Sequence, residues 1–242
     1  MADYLINQRL LVLAGGFGTR LLPAVSNAPK VLAPVGDTPF LQILIENWVA
    51  QGVREFIFSL HHKSKDIEVF LNSIEKSGRY PECSFKTLTE SQPLGTGGAI
   101  ALAVRYFQID SPFLVANADT WLESGVGELA ATQAPAMAVV KVPNVSRYGS
   151  VEIQHGRVVN MIEKIDKAGE HWINAGLYHL TPNFFHLAKE ASFSLERDFL
   201  PKYVLNAQVS AVPVLGGFID IGVPEDYFQF CRWYESGKIG SL

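Results

Sequence analysis

Cysteine is scarce in this chain: there are two, Cys83 and Cys231, in 242 residues. Two thiols so far apart make no disulfide framework and lack the close spacing of metal ligands. Both read as packing or incidental residues. No apolar run approaches the roughly 20 residues that a membrane-spanning helix needs. The opening "MADYLINQRLLVLAGG" holds an apolar stretch of about five residues, too short for the core of a secretory leader, and no small-residue cleavage pattern follows it. The expectation is a cytoplasmic protein with no membrane partner. Basic charge is not in excess either, with 20 Lys and Arg against 24 Asp and Glu and a net charge of -4. Without a lysine run or basic patch, a nucleic-acid partner has no support. Internal repeats, low-complexity tracts and obvious linkers are missing too. His61 and His62 have no spaced partner set and read as exposed or structural. What is left is ordinary globular composition, 48% hydrophobic and 18% charged, which excludes wholesale disorder.

The first half of the chain alternates two textures. Residues 10–13, 56–60, 85–88 and 113–115 read as buried strands. Residues 38–51 read as a helix capped by Thr38 with Pro39 in its first turn, and 65–75 and 96–107 as further helices, the last announced by Gly95. Alternation of this kind predicts an α/β fold whose mainly parallel sheet is covered on both faces. After residue 120 the strands shorten: 136–142, 151–153, 158–162, 175–180, 209–212 and 218–220, with "HGR" at 155–157 as a hairpin turn. Residues 182–189, 195–204 (capped by Ser194) and 224–234 read as helices. The last carries Tyr227, Phe228, Phe230 and Cys231, suited to the core or to a subunit contact, so a homo-oligomer stays open. Trp48, Trp121, Trp172 and Trp233 read as packing residues. Trp121 lies close enough to Asn117–Asp119 to stay open as a base platform.

In open α/β sheets, ligands bind beyond the carboxyl ends of the strands. Four polar or glycine-rich stretches should gather there: residues 14–20, 90–98, 117–119 and 220–222. The first, "AGGFGTR", lacks what two familiar phosphate loops require. Leu21 stands where a dinucleotide fingerprint needs its third glycine, and no Gly-Lys-Ser or Gly-Lys-Thr closes the turn. A glycine-rich anion cradle remains, with Arg20 beside it and Lys30 ten residues on. Arg20 suits bidentate contact with phosphate oxygens, and Lys30 supplies a mobile point charge.

Those residues sit within "LAGGFGTRLLPAVSNAPKVLAPVGDTPFL", which resembles the signature of the sugar-1-phosphate nucleotidyltransferases. Further strings match that family in order: "PLGTGGAI", "NAD", "RYGSV", "EK" at Glu163-Lys164, "NAGLY" and "FIDIGVPEDY". "PLGTGGA", "FSLERDFLP" and "DIGVPEDY" most resemble its D-glycero-D-manno-heptose 1-phosphate guanylyltransferases.

The resemblance implies a Rossmann-like α/β domain over residues 1–242, with a nucleotide-binding half to about 120 and a smaller, β-rich sugar-phosphate half beyond. It implies that Leu13, Ala14, Gly15, Gly16, Gly18 and Thr19 hold a nucleoside triphosphate, GTP for preference. Arg20 would contact the leaving pyrophosphate and Lys30 the α-phosphate. Glu90, Gly95, Thr96 and Asn117 would border base and ribose, and Asp119 with Asp220 would hold Mg²⁺. Tyr148, Gly149, Glu163, Lys164 and Asn174 would hold the sugar phosphate. Taken alone, an aspartate after a strand is more often a turn or cap residue. A pair is nonetheless what such chemistry requires, since Mg²⁺ takes one or two carboxylates plus phosphate oxygens and waters. Ala118 departs from the family, which usually has glycine there; its methyl would crowd the ribose side but leave the carboxylate of Asp119 in place.

The implied reaction joins a nucleoside triphosphate to a sugar 1-phosphate and releases pyrophosphate, a supply step for lipopolysaccharide or capsule. Alternatives are a transferase for another sugar using UTP, dTTP or CTP, a metal-dependent glycosyltransferase, and a non-catalytic nucleotide-sugar sensor.

Overall fold

The computed structural model describes residues 8–21, 25, 28–144, 148–162, 168–186 and 192–239. In chain order the elements are β1 Gln8–Leu13, a 3-10 turn at Lys30–Leu32, β2 Pro34–Val35, β3 Thr38–Pro39, α1 Phe40–Ala50, β4 Val53–Leu60, α2 Ser64–Lys76 and β5 Ser84–Thr89. Next come α3 Gly95–Tyr106, β6 Phe113–Asn117, β7 Thr120–Leu122, α4 Val126–Ala131, β8 Ala136–Asn144, β9 Ser150–Gln154, β10 Arg157–Ile162 and β11 Ala168–Leu180. The chain continues through α5 Asn183–His186, a π-helical turn Leu195–Phe199 that runs into α6 Leu200–Val204, then β12 Ser210–Pro213, β13 Phe218–Asp220 and α7 Pro224–Glu235.

One nine-stranded sheet, in the order β5-β4-β1-β6-β11-β8-β12-β10-β9, runs through the molecule. Its first four strands are parallel, as the alternation of strand and helix requires. Parallel strands need cover on both faces, and β1 shows why its sequence is a continuous apolar run. Leu10 and Val12 belong to the core beneath α1 and α7, with Phe40 and Phe230. Leu11 points the other way, into a core with Ile100, Ala103 and Val104 of α3. All three are fully buried. Successive strand residues face opposite sides, so no polar residue would be tolerated in this stretch.

The parallel arrangement ends at β11, which pairs antiparallel with β6 and β8; β8 and β12 are parallel again, and β9–β10 is a hairpin. The whole sheet is therefore mixed, because the second half is wired by hairpins and returns rather than crossover helices. The β9–β10 hairpin with β11 and β8 forms the β-rich extension. Strand order reverses between β1 and β6, since β4 and β5 lie on one side of β1 and β6 on the other. That switch point opens a crevice at the strands' carboxyl ends.

One local expectation needs correction. Thr38 does not cap α1: it pairs with Val35 in the β2–β3 ribbon, and the cap position is Pro39, with no side-chain cap. The reason is tertiary, because Phe40 N–H donates to Ala33 O at 2.9 Å and so folds the ribbon back onto the helix start. The short β7 and α4 have no counterpart in the sequence reading. Ser194 does accept a hydrogen bond from Arg197 N–H at 3.2 Å, as expected of a cap. Of the helix expected over 182–189, Asn183–His186 is formed and the rest lies outside the described residues. Among the described residues no helix is long and apolar enough to cross a membrane.

Candidate active site

The loop after β1 is pinned at both ends: Ala14 N–H donates to Ser59 O at 2.9 Å and Leu21 N–H to Gly18 O at 3.0 Å. Gly18 has φ +62°, and a Cβ there would lie 2.8 Å from Lys30 Cβ. Only glycine permits both the left-handed turn and the close passage of Lys30. Gly15 packs against His61 and Glu90, while nothing lies within 4 Å of where a Gly16 Cβ would be. Between this loop and the start of α3 lies a cavity of about 330 Å³, the lower end of the range for small-molecule sites. Leu13, Gly15, Gly16, Glu90, Gly95, Thr96, Asn117 and Asp119 line it, all singled out from the sequence. Ala14, Gly18 and Thr19 belong to the same loop but are not part of that wall.

Six wall residues had no site role in the sequence reading: Phe17, Ser59, His61, Pro93, Leu94 and Ala99. Ser59, at the end of β4 and 1% exposed, donates to Glu90 Oε1 at 3.0 Å. Leu94 N–H donates to Glu90 Oε2 at 3.0 Å. Glu90 is thereby a buried, oriented carboxylate. His61, expected to be exposed or structural, places Nδ1 3.1 Å from Glu90 O and its ring 5.7 Å from Phe17. A histidine dipeptide carries no local mark of this role; the β4 register supplies it. Trp121 is settled as a packing residue, 4% exposed and set edge-on to Phe230.

At the mouth of this cavity four charged groups meet. Asp119 follows β6, and the chain continues directly into β7, which pairs with β13 so that Asp220 stands opposite Thr120. Ile221 N–H donates to Asp119 O at 2.9 Å. A ribbon of three residues per strand thus brings together two carboxylates a hundred residues apart. Lys30 Nζ lies 2.6 Å from Asp119 Oδ2 and 3.8 Å from Asp220 Oδ1. Gly222 N–H donates to Asp220 Oδ1 at 2.6 Å. A Cβ on Gly222 would sit 2.8 Å from Asp220 Oδ1, 3.2 Å from an Arg20 guanidinium nitrogen and 3.4 Å from Lys30 Nζ. All three charged side chains therefore converge over this glycine.

Burial, then the Asp119 charge, pushes Asp220 up to about 6, against the opposing pull of Lys30, the Gly222 N–H and Arg20. A carboxylate held so near another carboxylate favours a cation between them. Among the described residues no cluster of three or more His, Cys, Asp or Glu could hold a metal by itself. Two hard oxygen donors without a full cage suit Mg²⁺ that takes its other ligands from phosphate and water.

A second cavity, about 560 Å³, opens on the other side of this charged centre. Arg20, Asn117 and Asp220 border it, together with Tyr148 and Asn174. Asn117 lines both cavities. Gly149 is not part of that wall; its carbonyl accepts from Asn174 N–H at 3.4 Å. Glu163 and Lys164 lie outside the described residues. Thr120, Ala175, Gly176, Tyr178, Ser194, Glu196, Arg197 and Phe218 complete the wall and were not assigned a substrate role from the sequence. Gly97 and Gly98 N–H both donate to Phe193 O, at 3.0 and 3.2 Å, so these first-turn amides of α3 hold the 193–199 segment in place.

An α/β sheet with a glycine-rich loop at its switch point, and two cavities meeting at paired cations and carboxylates, defines a phosphate-handling transferase. The chain belongs to the nucleotidyl transferase family, whose model matches residues 9–237. It is 32% identical over 223 residues to D-glycero-alpha-D-manno-heptose 1-phosphate guanylyltransferase of Campylobacter jejuni, covering 91% of this chain and 97% of that one. It is also 32% identical to mannose-1-phosphate guanylyltransferase 1 of Arabidopsis thaliana, over 93% of this chain and 64% of that longer protein. The crystal structure of HddC from Yersinia pseudotuberculosis superposes with a TM-score of 0.80 at 34% identity, covering 94% of this chain and 99% of that one. HddC has also been solved complexed with GMP-PN, and that structure matches with a TM-score of 0.79.

Proposed function

We propose that this protein transfers a guanylyl group from GTP to a sugar 1-phosphate, a D-glycero-D-manno-heptose 1-phosphate for preference, releasing pyrophosphate. The observation that carries this reading is the convergence of Arg20, Lys30, Asp119 and Asp220 where the two cavities meet. The guanine and heptose assignments draw support from the Campylobacter jejuni and Yersinia pseudotuberculosis relatives. With triphosphate in the first cavity and sugar phosphate in the second, an oxygen of the sugar phosphate attacks the α-phosphorus. One P–O bond forms, the bond to the β-phosphate bridge breaks, and pyrophosphate carries away the electron pair. The attacking phosphate is already ionised, so no general base is required. The barrier lies in aligning two anions that repel one another.

Lys30 and Arg20 lower that repulsion, Lys30 at the α-phosphate and Arg20 at the leaving pyrophosphate. Asp119 and Asp220 would hold Mg²⁺, whose charge shields the triphosphate oxygens. Glu90 would accept the N1–H and 2-amino protons of guanine. Its two oxygens each carry one protein hydrogen bond, and a carboxylate oxygen accepts two, so one place on each stays available. In this reading the enzyme works in the cytoplasm, where triphosphates are supplied, and its product serves a surface polysaccharide.

The test is competition among equal GTP, ATP, UTP, CTP and dTTP with a panel of sugar 1-phosphates, scored by mass of the sugar nucleotide. A dominant GDP-heptose is the expected product. A dominant UDP- or dTDP-sugar overturns the guanine assignment, and a sugar nucleotide formed without pyrophosphate overturns the reaction.

A further inference from the structure

The second cavity carries a hydrogen-bond chain whose direction is fixed at every link. Gly176 N–H donates to Asn174 Oδ1 at 3.0 Å, which sets that amide's orientation. Asn174 Nδ2 donates to the Tyr178 hydroxyl at 2.7 Å. Tyr178 is fully buried, and burial followed by the nearby Glu196 charge holds its proton on well beyond the usual tyrosine range. Its hydroxyl passes that proton's hydrogen bond to Glu196 Oε1 at 3.1 Å. Glu196 Oε2 accepts two more, from Thr96 Oγ1 at 2.7 Å and Ser194 Oγ at 3.0 Å. Thr96 is in turn locked by Leu195 N–H at 2.8 Å.

An ionised carboxylate offers about four acceptor sites, and the protein fills three of them here. The fourth is on Oε1, on a side chain that lines the cavity. Asn174 has a second amide proton to give, two links away along the same wall. An acceptor and a donor joined through the Tyr178 hydroxyl on one wall match two hydroxyls of a sugar ring. Arg20 and Arg197 of the same wall only donate, so neither can accept the proton of a hydroxyl. Among the described residues of this wall the carboxylates are Glu196 and Asp220, and Asp220 is engaged with Lys30 and Gly222.

We infer that Glu196 is a sugar-reading residue: it accepts a hydrogen bond from one ring hydroxyl of the sugar 1-phosphate and is held for that purpose by Tyr178, Thr96 and Ser194. The inference rests on the proposed transfer to a sugar 1-phosphate and adds which side chain distinguishes one sugar from another. A polar site loses discrimination when its partner hydroxyl is missing, because the oriented group is left unpaired.

The experiment measures pyrophosphate release with GTP and mannose 1-phosphate, its 2-, 3-, 4- and 6-deoxy analogues, and the heptose 1-phosphate. Glu196→Gln keeps the volume but replaces an acceptor with a donor. It should lower kcat/KM for the intact sugars 10- to 100-fold and leave the KM for GTP within threefold. On the one analogue that lacks the hydroxyl being read, the loss should shrink below threefold, the behaviour of a coupled pair. Tyr178→Phe, which frees the carboxylate without removing it, should show the same analogue dependence with a smaller loss. That variant decides the matter if Glu196→Gln does not fold. An equal loss on every analogue, or a parallel rise in the KM for GTP, assigns Glu196 a structural role and overturns the inference alone. A wild-type protein that releases no pyrophosphate with any of these sugars overturns the proposed function and this inference together.

Discussion

Lys30 is a long way in sequence from both carboxylates it touches, yet its ammonium sits 2.6 Å from one and 3.8 Å from the other. In the proposed reaction that position matters most as the α-phosphorus gains a fifth ligand. Lys30→Ala should therefore lower kcat about a hundredfold, on the order of 3 kcal/mol, while the KM for GTP moves much less. Arg20→Ala should cost a similar factor in kcat/KM, since it removes a charge-assisted contact to the leaving group. Steady-state kinetics of both variants checks this, and unchanged rates would leave the loop a plain turn. Chelation should abolish turnover, and Asp220→Asn should raise the Mg²⁺ concentration needed for half-maximal rate. Full activity of Asp119→Ala in excess chelator contradicts a metal role. Glu90→Gln should erode the preference for GTP over ATP in a competition assay, because an amide cannot accept both guanine protons. The residues behind these expectations were legible because each belongs to a short string with its own chemistry. Ser59, His61 and Glu196 were not, since each draws its role from a partner more than 25 positions away.

At the level of elements, the junction between α3 and the 193–199 segment decides the shape of both cavities. A Cβ on Gly97 would lie 2.2 Å from the Phe193 ring, which is itself buried against Phe199 at 5.9 Å. Gly97→Ala must displace that ring, and overpacking of this kind costs about 1–3 kcal/mol. Denaturant unfolding should show the loss of stability. The KM for sugar phosphate should rise alongside it, because Ser194 and Glu196 leave their stations with Phe193. A variant of unchanged stability and kinetics would show that the segment is not seated through this contact. The glycines of "PLGTGGAI" were read from the sequence as a border for base and ribose. Their close fit to Phe193 was invisible there, because nothing in the string says which element crosses the helix start. Thr38 makes the same point in reverse: its sequence context suits a helix cap, and the β2–β3 ribbon claims it instead.

Across the whole molecule, β11 joins the two halves of the sheet, pairing with β6 on one side and β8 on the other. His179 sits within that strand, largely buried, with Nδ1 2.8 Å from Thr132 O. Burial lowers its pKa below the usual 6.5, outweighing the Thr132 and Leu129 carbonyls. The unfolded chain then binds a proton at a higher pH than the folded one. Stability from this group is full above pH 6.5 and is lost as the pH falls through the lowered folded value. The difference in unfolding free energy between wild type and His179→Gln should therefore shrink from pH 7.5 to pH 5.5. Urea titrations at the two pH values measure it, and the comparison cancels every other titrating group. A difference that grows on acidification contradicts the assignment.

The sequence by itself determined the parallel half of the sheet, the strand ends where ligands gather, and the family through its opening loop. Those features are local: an apolar strand such as residues 10–13 is buried on both faces wherever it goes, and a glycine turn keeps its geometry. Tertiary structure decided what no local pattern encodes. The β7–β13 ribbon sets Asp220 beside Asp119, the β4 register puts Ser59 and His61 against Glu90, and the 193–199 segment brings Glu196 to Tyr178. Each depends on the register between distant strands and segments, and register is fixed by the packing of the whole sheet rather than by any one stretch of chain.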